Sequence, residues 1–259
     1  MKDEDNIRYF KPGTMKVVLF LGILGLLILA VGMEEDFKTF FLAIGGVLVF
    51  LAIYQFIWNK LHKMTGAALD KNIEEGKDKI NLRKKTLDTL CLDKSDLACL
   101  KSLKTEGYCH NSIDTQPLFR RDVDDGRLRS SNYQISVFLF GADRFYTYAY
   151  TRSLVDNELA QKGRMWRYDE IVKADVKKES FTYIVGDNDE KHETAELEYF
   201  VVTSSDGESY IFETNNDTDA PAKISQIRRI ITAHGGKVGG NLPDSQEEPE
   251  IGDGKDVFD

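Results

Sequence analysis

The apolar positions of this chain fall into three regimes. Val17 to Met33 is a run of seventeen residues without a charge, and Thr39 to Asn59 is a run of twenty-one more. At 1.5 Å per residue, helices of these lengths reach roughly 26 and 31 Å, against a bilayer hydrocarbon core of about 30 Å. The twelve Leu, Ile, Val and Phe residues of the first run contribute roughly −4 to −7 kcal/mol on an insertion scale, where one central Lys would cost about +3. Phe37, Phe40 and Phe41 open the second run, and Tyr54 and Trp58 close it, where aromatic belts form at membrane interfaces. Only Glu34, Glu35, Asp36, Phe37 and Lys38 separate the runs. The pattern therefore predicts a membrane protein with a two-helix transmembrane hairpin, spans 17–33 and 39–59, after a tail of residues 1–16. Gly22, Gly25 and Gly32 in one span, with Gly45 and Gly46 in the other, would allow close backbone approach, although glycine is also ordinary content of membrane helices.

The second regime, 60–112, reads as a helical linker. Ile73, Ile80 and Leu87 recur every seven residues, as if the second span continued to about residue 90. Such a stripe packs either on a partner helix or on the protein's own domain. A helical pair is expected over Leu82–Leu90 and Ser95–Leu103, with Ser95 as N-cap and Leu97, Leu100 and Leu103 inward.

From about residue 113 to 236 the period changes to two. Tyr133–Phe140, Arg144–Thr151, Arg164–Tyr168, Ile171–Val176, Phe181–Val185, Glu196–Ser204 and Ser209–Thr214 read as strands. Asp125-Gly126 and Asp206-Gly207 mark tight turns, because glycine accepts positive φ. Ile224, Ile227, Ile230 and Ile231 then form a helical stripe, begun by Asp219 and Pro221 and ended by Gly235. Antiparallel strands closed by one helix suggest a barrel or sandwich with the helix plugging an open end. Residues 237–259 are acidic and carry little apolar content, which predicts a disordered tail.

The segment Met165-Trp166-Arg167-Tyr168-Asp169-Glu170-Ile171-Val172-Lys173-Ala174-Asp175-Val176 resembles bacterial pleckstrin-homology-like domains, in which an aromatic strand end, an acid and Ile lead into a central strand. Asp206-Gly207-Glu208-Ser209-Tyr210-Ile211-Phe212 is similar to their last hairpin. The likeness covers about residues 115–236, and several such families place two membrane helices before the domain. It implies an α+β PH-like barrel or sandwich acting as a binding or scaffolding module, with no catalytic residues to carry over. The linker of more than fifty residues departs from those families.

Charge sharpens this picture. The net charge of −9 excludes the clustered Lys and Arg of a nucleic-acid binder. Lys2, Arg8, Lys11 and Lys16 precede the first span, and Lys60, Lys63, Lys71, Lys77 and Lys79 follow the second, against Lys38 alone between them. Both termini are then expected in the cytoplasm of a multi-pass protein of the cell membrane. A signal peptide cut near Ala30-Val31-Gly32 is the competing reading, and leaves the β domain on the same side. The odd cysteine count, Cys91, Cys99 and Cys109, suits reduced thiols. With His110 they could make a zinc set, but no Cys-x-x-Cys unit fixes two ligands. The sequon at Asn216 matters only in a glycosylating compartment.

No nucleophile elbow, phosphate loop or dinucleotide turn occurs, and His62, His110, His192 and His234 are scattered, so neither catalysis nor a cofactor is expected. Asp122, Asp124 and Asp125 miss the calcium-loop spacing. Arg120, Arg121, Arg127 and Arg129 flank one hairpin and are the candidate site: an anion-binding patch facing lipid headgroups, or a solvated strand face balanced by the aspartates. Trp166 and Tyr168 are expected in the core. The functional expectation is a non-enzymatic membrane-anchored module binding a protein partner or itself, the alternative being an accessory subunit of an envelope transporter or channel.

Overall fold

The computed structural model describes residues 3–10, 15–31, 38–61, 64–77, 79–97, 99–110, 117–122, 124–156, 158–184, 192–215, 217–238, 252–253 and 258. The loop at Glu34–Phe37, Gly32, His62, the sequon residue Asn216 and most of the acidic tail lie outside them. The chain divides into two compact units, residues 2–72 and 73–259.

The first unit is helical: α1 (Asp3–Phe10), α2 (Met15–Val31), α3 (Lys38–Leu61) and the start of α4 (Gly66–Lys77). Among the described residues, one helix is long and apolar enough to cross a membrane, over Thr39–Leu61 with mean hydropathy 2.4; α2 is apolar over the shorter stretch Val17–Ala30. The two pack antiparallel, since a Cβ on Gly22 would meet Ala52 at 3.7 Å, one on Gly25 would meet Val49 at 2.9 Å, and one on Gly45 would meet Leu29 at 2.6 Å. Gly25 and Gly45 thus sit where the helix backbones nearly touch, and any side chain there would push them apart. Their outward faces, including Leu19, Phe20, Leu26, Phe40, Val47 and Phe50, are exposed. In α1, which the sequence pattern did not predict, Asn6 and Tyr9 are fully buried, and Asn6 Oδ1 accepts a hydrogen bond from Asn72 at 3.3 Å.

The helix after α3 is not continuous, as a regular heptad would have required. Thr65 Oγ1 accepts from Ala68 N–H at the start of α4, and Asn81 caps α5 (Leu82–Leu90) by accepting from Lys84 N–H at 3.0 Å. In the second unit Ile80 and Leu87 rest on the β domain itself, in a cluster with Leu97, Val137, Leu139, Tyr148 and Tyr150. The helix expected over 95–103 is also corrected. Only α6 (Lys94–Leu97) forms, with Asp93 accepting from Ser95 and Asp96 N–H, and β1 (Lys101–Cys109) follows at once. Nine residues of β1 pair with β4 (Asn132–Phe140), a long-range ladder that outweighs the local helical spacing of the leucines.

The expected turns and most expected strands are present. β2 (Phe119–Arg121) and β3 (Leu128–Ser130) form a hairpin, and β5 (Arg144–Ser153) and β6 (Leu159–Arg167) continue the large sheet in the order β10-β1-β4-β5-β6, where β10 is Gly252–Asp253. A 3₁₀ turn, Tyr168–Glu170, leads into β7 (Ile171–Ile184), which pairs with β8 (His192–Ser204) and through it β9 (Ser209–Glu213). Gly126 and Gly207 take φ of 68° and 85° at the two tight turns. The strands expected at 171–176 and 181–185 are one: Lys177–Ser180 continues the ladder with both faces exposed, stitched by a Lys178–Glu198 ion pair at 2.5 Å.

The barrel is corrected as well. The described strands form a five-stranded, a three-stranded and a two-stranded antiparallel sheet, and no ladder joins them into a closed cylinder. Instead α7 (Ala220–Ala233) packs Ile224, Ile227 and Ile231 into a shared core with Phe138, Phe145, Trp166, Phe200 and Phe212. Trp166 and Tyr168 belong to that core as expected, Trp166 Nε1 donating to Thr147 Oγ1 at 2.8 Å and Tyr168 OH to the Gly141 carbonyl at 3.0 Å. Every residue of β4 is buried, because its even-numbered Phe138 and Phe140 face this core while Val137 and Leu139 face α5 and α6. Part of the tail is ordered against the fold too: Lys237 N–H donates to the Ile171 carbonyl, Gly252–Asp253 joins β1, and Phe258 packs on the α5–α6 cluster. The apolar anchors Val238 and Phe258 supply what the acidic composition concealed.

Candidate binding groove

The β2–β3 hairpin is built by its aspartates. Asp122 Oδ1 accepts from Asp124 N–H at 3.0 Å, Asp125 Oδ1 accepts from Arg127 N–H at 2.9 Å, and Gly126 N–H donates to the Asp122 carbonyl at 3.0 Å. Side-chain oxygens that mimic backbone acceptors favour such turns. The ladder sets Arg120 opposite Arg129 and Arg121 opposite Leu128, which puts Arg120 and Arg129 on one face and Arg121 on the other, with Arg127 in the turn before β3.

Arg129 is therefore not part of a surface patch. Its side chain is 1% exposed, its guanidinium donates to both Asp125 oxygens at 3.1 and 2.6 Å, and Asp122 Oδ2 lies at 3.8 Å. The Arg129 hydrogen bond holds the Asp125 carboxyl down at about 2. Arg120 is half-buried on the same face. Arg121 and Arg127, with Leu128, line a groove of about 470 Å³ whose other wall is Ala195, Glu196 and Leu197 of β8. Arg121 Nε donates to Tyr183 OH at 3.0 Å and its Nη1 to the Gly126 carbonyl at 2.8 Å, while Glu193 sits 3.4 Å away. Burial raises the Tyr183 hydroxyl above its ordinary value, against the pull of Arg121. Of the four candidates, then, Arg121 and Arg127 meet at the groove, Arg129 braces the hairpin, and Arg120 shares the face of Arg129.

The groove's inner end was not legible in the sequence. His110, Asn215, Asp217 and Thr218 complete the lining. Behind them Glu213, 1% exposed, accepts from His110 N–H at 3.3 Å and from Asn215 Nδ2 at 3.0 Å, with its Oε2 3.5 Å from His110 Nδ1. The His110 ring stacks on Phe119 at 5.7 Å and meets Phe181 edge-on at 6.0 Å. Asp217 is neutralised by Lys223 at 2.7 Å. His110 and Glu213 lie 103 positions apart in the chain, at the ends of strands in separate sheets, and the packing of β9 against β1 and β4, where Glu213 N–H donates to Gln134 Oε1 at 2.9 Å, brings them together. His110 does not assemble with the cysteines: Cys91 and Cys99 are exposed, Cys109 is buried, and among the described residues no metal-holding cluster occurs.

The groove thus offers guanidinium, imidazole and amide groups together with the carboxylates of Glu196 and Asp217, and Phe119, Phe181 and Tyr183 pack against its His110 and Arg121. Such mixed lining suits a peptide segment with alternating polar groups better than a single strong anion. No family model matches the chain, and neither a curated protein nor a solved structure matches it.

Proposed function

We propose that this protein is a non-enzymatic binding module held at the membrane, with α2 and α3 crossing the bilayer as a hairpin and the β domain presented to a protein partner or to a second copy in the cytoplasm. The observation that carries the reading is α3: a twenty-three-residue, largely apolar helix, Thr39–Leu61, of whose apolar window only 11% is buried inside the protein. In water such a face would drive aggregation, whereas in lipid it is at rest. The Gly25–Gly45 contact supports α2 as its antiparallel companion. Lys and Arg on both flanks support cytoplasmic termini. Antiparallel sheets with α7 between them are compatible with the PH-like resemblance, and the Arg121–Glu196 groove supplies the binding surface.

The test uses the intact chain in mild detergent with cross-linked partners recovered from the native membrane. Arg121→Glu combined with Arg127→Glu reverses the cationic side of the groove and leaves α2 and α3 untouched. Loss of the recovered partner with unchanged membrane retention supports the module. Retention of the partner by this variant, together with its loss when α3 carries Val47→Lys and Phe50→Lys, would favour an accessory subunit held through its spans.

A further inference from the structure

β8 is longer than the strand that flanks it. β9 pairs with β8 only from Ser209, opposite Thr203, to Glu213, opposite Tyr199. There Thr214 Oγ1 donates to the Glu198 carbonyl at 3.4 Å, and Asp217 N–H donates to the Thr214 carbonyl as the chain turns off into α7. β8 runs on to His192, paired along its other edge with β7 as far as Ile184. Ser204 N–H donates to the Glu208 carbonyl, so Ser204 and Glu198 both turn their backbone groups to the β9 side. Strand alternation turns those of Glu196 and Thr194 the same way. Among the described residues no hydrogen bond satisfies them. The Arg121–Glu196 groove occupies this vacated lane: Ala195, Glu196 and Leu197 form one wall, and Asn215 and Asp217 close it where β9 stops. Its volume of about 470 Å³ falls within the roughly 300–1,000 Å³ of ligand clefts. At the inner end the His110 side chain is 9% exposed, and its Nε2 is buried without a hydrogen-bond partner, while Nδ1 faces Glu213. Arg127 is exposed, and Asp125, its electrostatic neighbour, is already held by Arg129.

We propose that the β9-side edge of β8 at Thr194–Glu196 is a strand-addition site for an extended, acidic segment of a protein partner. The segment continues the line of β9, and its main chain pairs with the backbone groups of Thr194 and Glu196. A carboxylate on it meets Arg127, and a polar group at its inner end meets His110 Nε2. Main-chain pairing of this kind supplies affinity, while alternate side chains, here facing Leu128 and Leu197, supply selectivity. The inference rests on the reading of the groove as the binding surface, and it adds how the partner is held: through its backbone, not through side chains alone.

The experiment uses the full chain in detergent and, as probe, a pooled set of labelled peptides of about seven residues, about 23 Å when extended, with Asp fixed at the centre and Val, Ile, Thr or Tyr elsewhere. The tightest binder is remade with each amide N-methylated in turn. Binding should fall about tenfold at alternate amides and hardly at those between. Glu196→Pro removes the N–H that faces the lane and no bond to β7, so it should also weaken binding about tenfold, whereas Glu196→Ala should bind as well or better. A peptide that needs Arg121 and Arg127 yet shows no alternation upholds the groove and overturns strand addition. Binding by no member of the set overturns strand addition as well, and leaves the groove to the partner-recovery test. Self-association of the chain that Glu196→Pro abolishes, with no peptide bound, overturns a partner segment in favour of a second copy. Amide exchange in the unaltered chain gives a second reading: the bound peptide should slow Thr194 and Glu196 about tenfold while Ala195 and Leu197, which face β7, stay as they were. Unchanged exchange at Thr194 and Glu196 overturns the proposal.

Discussion

Replacing Asp125 by Ala removes both of its hydrogen bonds to a guanidinium that is 1% exposed, while Asp122 stays 3.8 Å from that guanidinium. Breaking one partner of a buried pair costs about 3–5 kcal/mol. Asp122 remains and Asp125 is itself 37% exposed, which brings the expected loss to about 2 kcal/mol. Arg129→Ala removes a cation beside the buried Asp122 and opens a gap, for about 3 kcal/mol. The double variant should lose less than the sum of the two, because the interaction is counted once. Urea unfolding of the detergent-held chain, followed by fluorescence, reads this directly: of the two tryptophans, Trp166 lies in the β core and Trp58 in α3. The pH dependence has a defined sign. The folded Asp125 carboxyl sits at about 2, below its ordinary 3.8, so its contribution is present above about pH 4 and fades as pH falls toward 2. A depression of that size corresponds to about 2 kcal/mol, of which solvent screening at a partly exposed carboxylate leaves about 1. Asp125→Ala should flatten that part of the stability profile. Single-variant losses under about 0.5 kcal/mol, the range of ordinary surface changes, would refute the buried-pair account and return Arg129 to the surface.

Three further outcomes follow from the packing. Gly22→Cys with Ala52→Cys should form an intramembrane disulfide on oxidation, since the Cβ positions lie 3.7 Å apart, near the disulfide mean of about 3.8 Å; adding Gly45→Leu should abolish it, and a bond that still forms contradicts the helix contact. Gly163→Ala puts a Cβ 2.8 Å from Thr89 Cγ2 and 2.9 Å from Leu90 Cδ2, so a loss of about 1–3 kcal/mol is expected in the same urea assay, and no loss would mean α5 does not pack on β6. In intact cells a membrane-impermeant maleimide should leave the protein unlabelled, while after lysis Cys91 and Cys99 react and buried Cys109 does not; labelling before lysis contradicts cytoplasmic termini.

What was readable in the sequence was whatever rests on local pattern. The long uncharged run of α3, the turn at Gly126 with φ 68° and the isoleucine stripe of α7 each carry their signal within a few residues. β1 was misread because Leu97, Leu100 and Leu103 keep helical spacing, while the pairing of Lys101–Cys109 with β4 is visible only in three dimensions. The arginines were found but not sorted: alternation along β2 and β3 decides that Arg129 turns inward to Asp125 while Arg121 meets Tyr183. His110 drew notice only beside the cysteines, because Glu213, which orients it, is a distant and ordinary acid in the chain. Phe258, whose ring packs on the cluster of Leu87 and Leu97, was lost in an acidic average.

Alkaline carbonate extraction of membranes carrying the full-length chain tests the anchoring most directly. The protein should stay wholly with the lipid pellet and leave it only on addition of detergent. Release into the carbonate supernatant would contradict a bilayer-crossing Thr39–Leu61 helix and, with it, the membrane-held module.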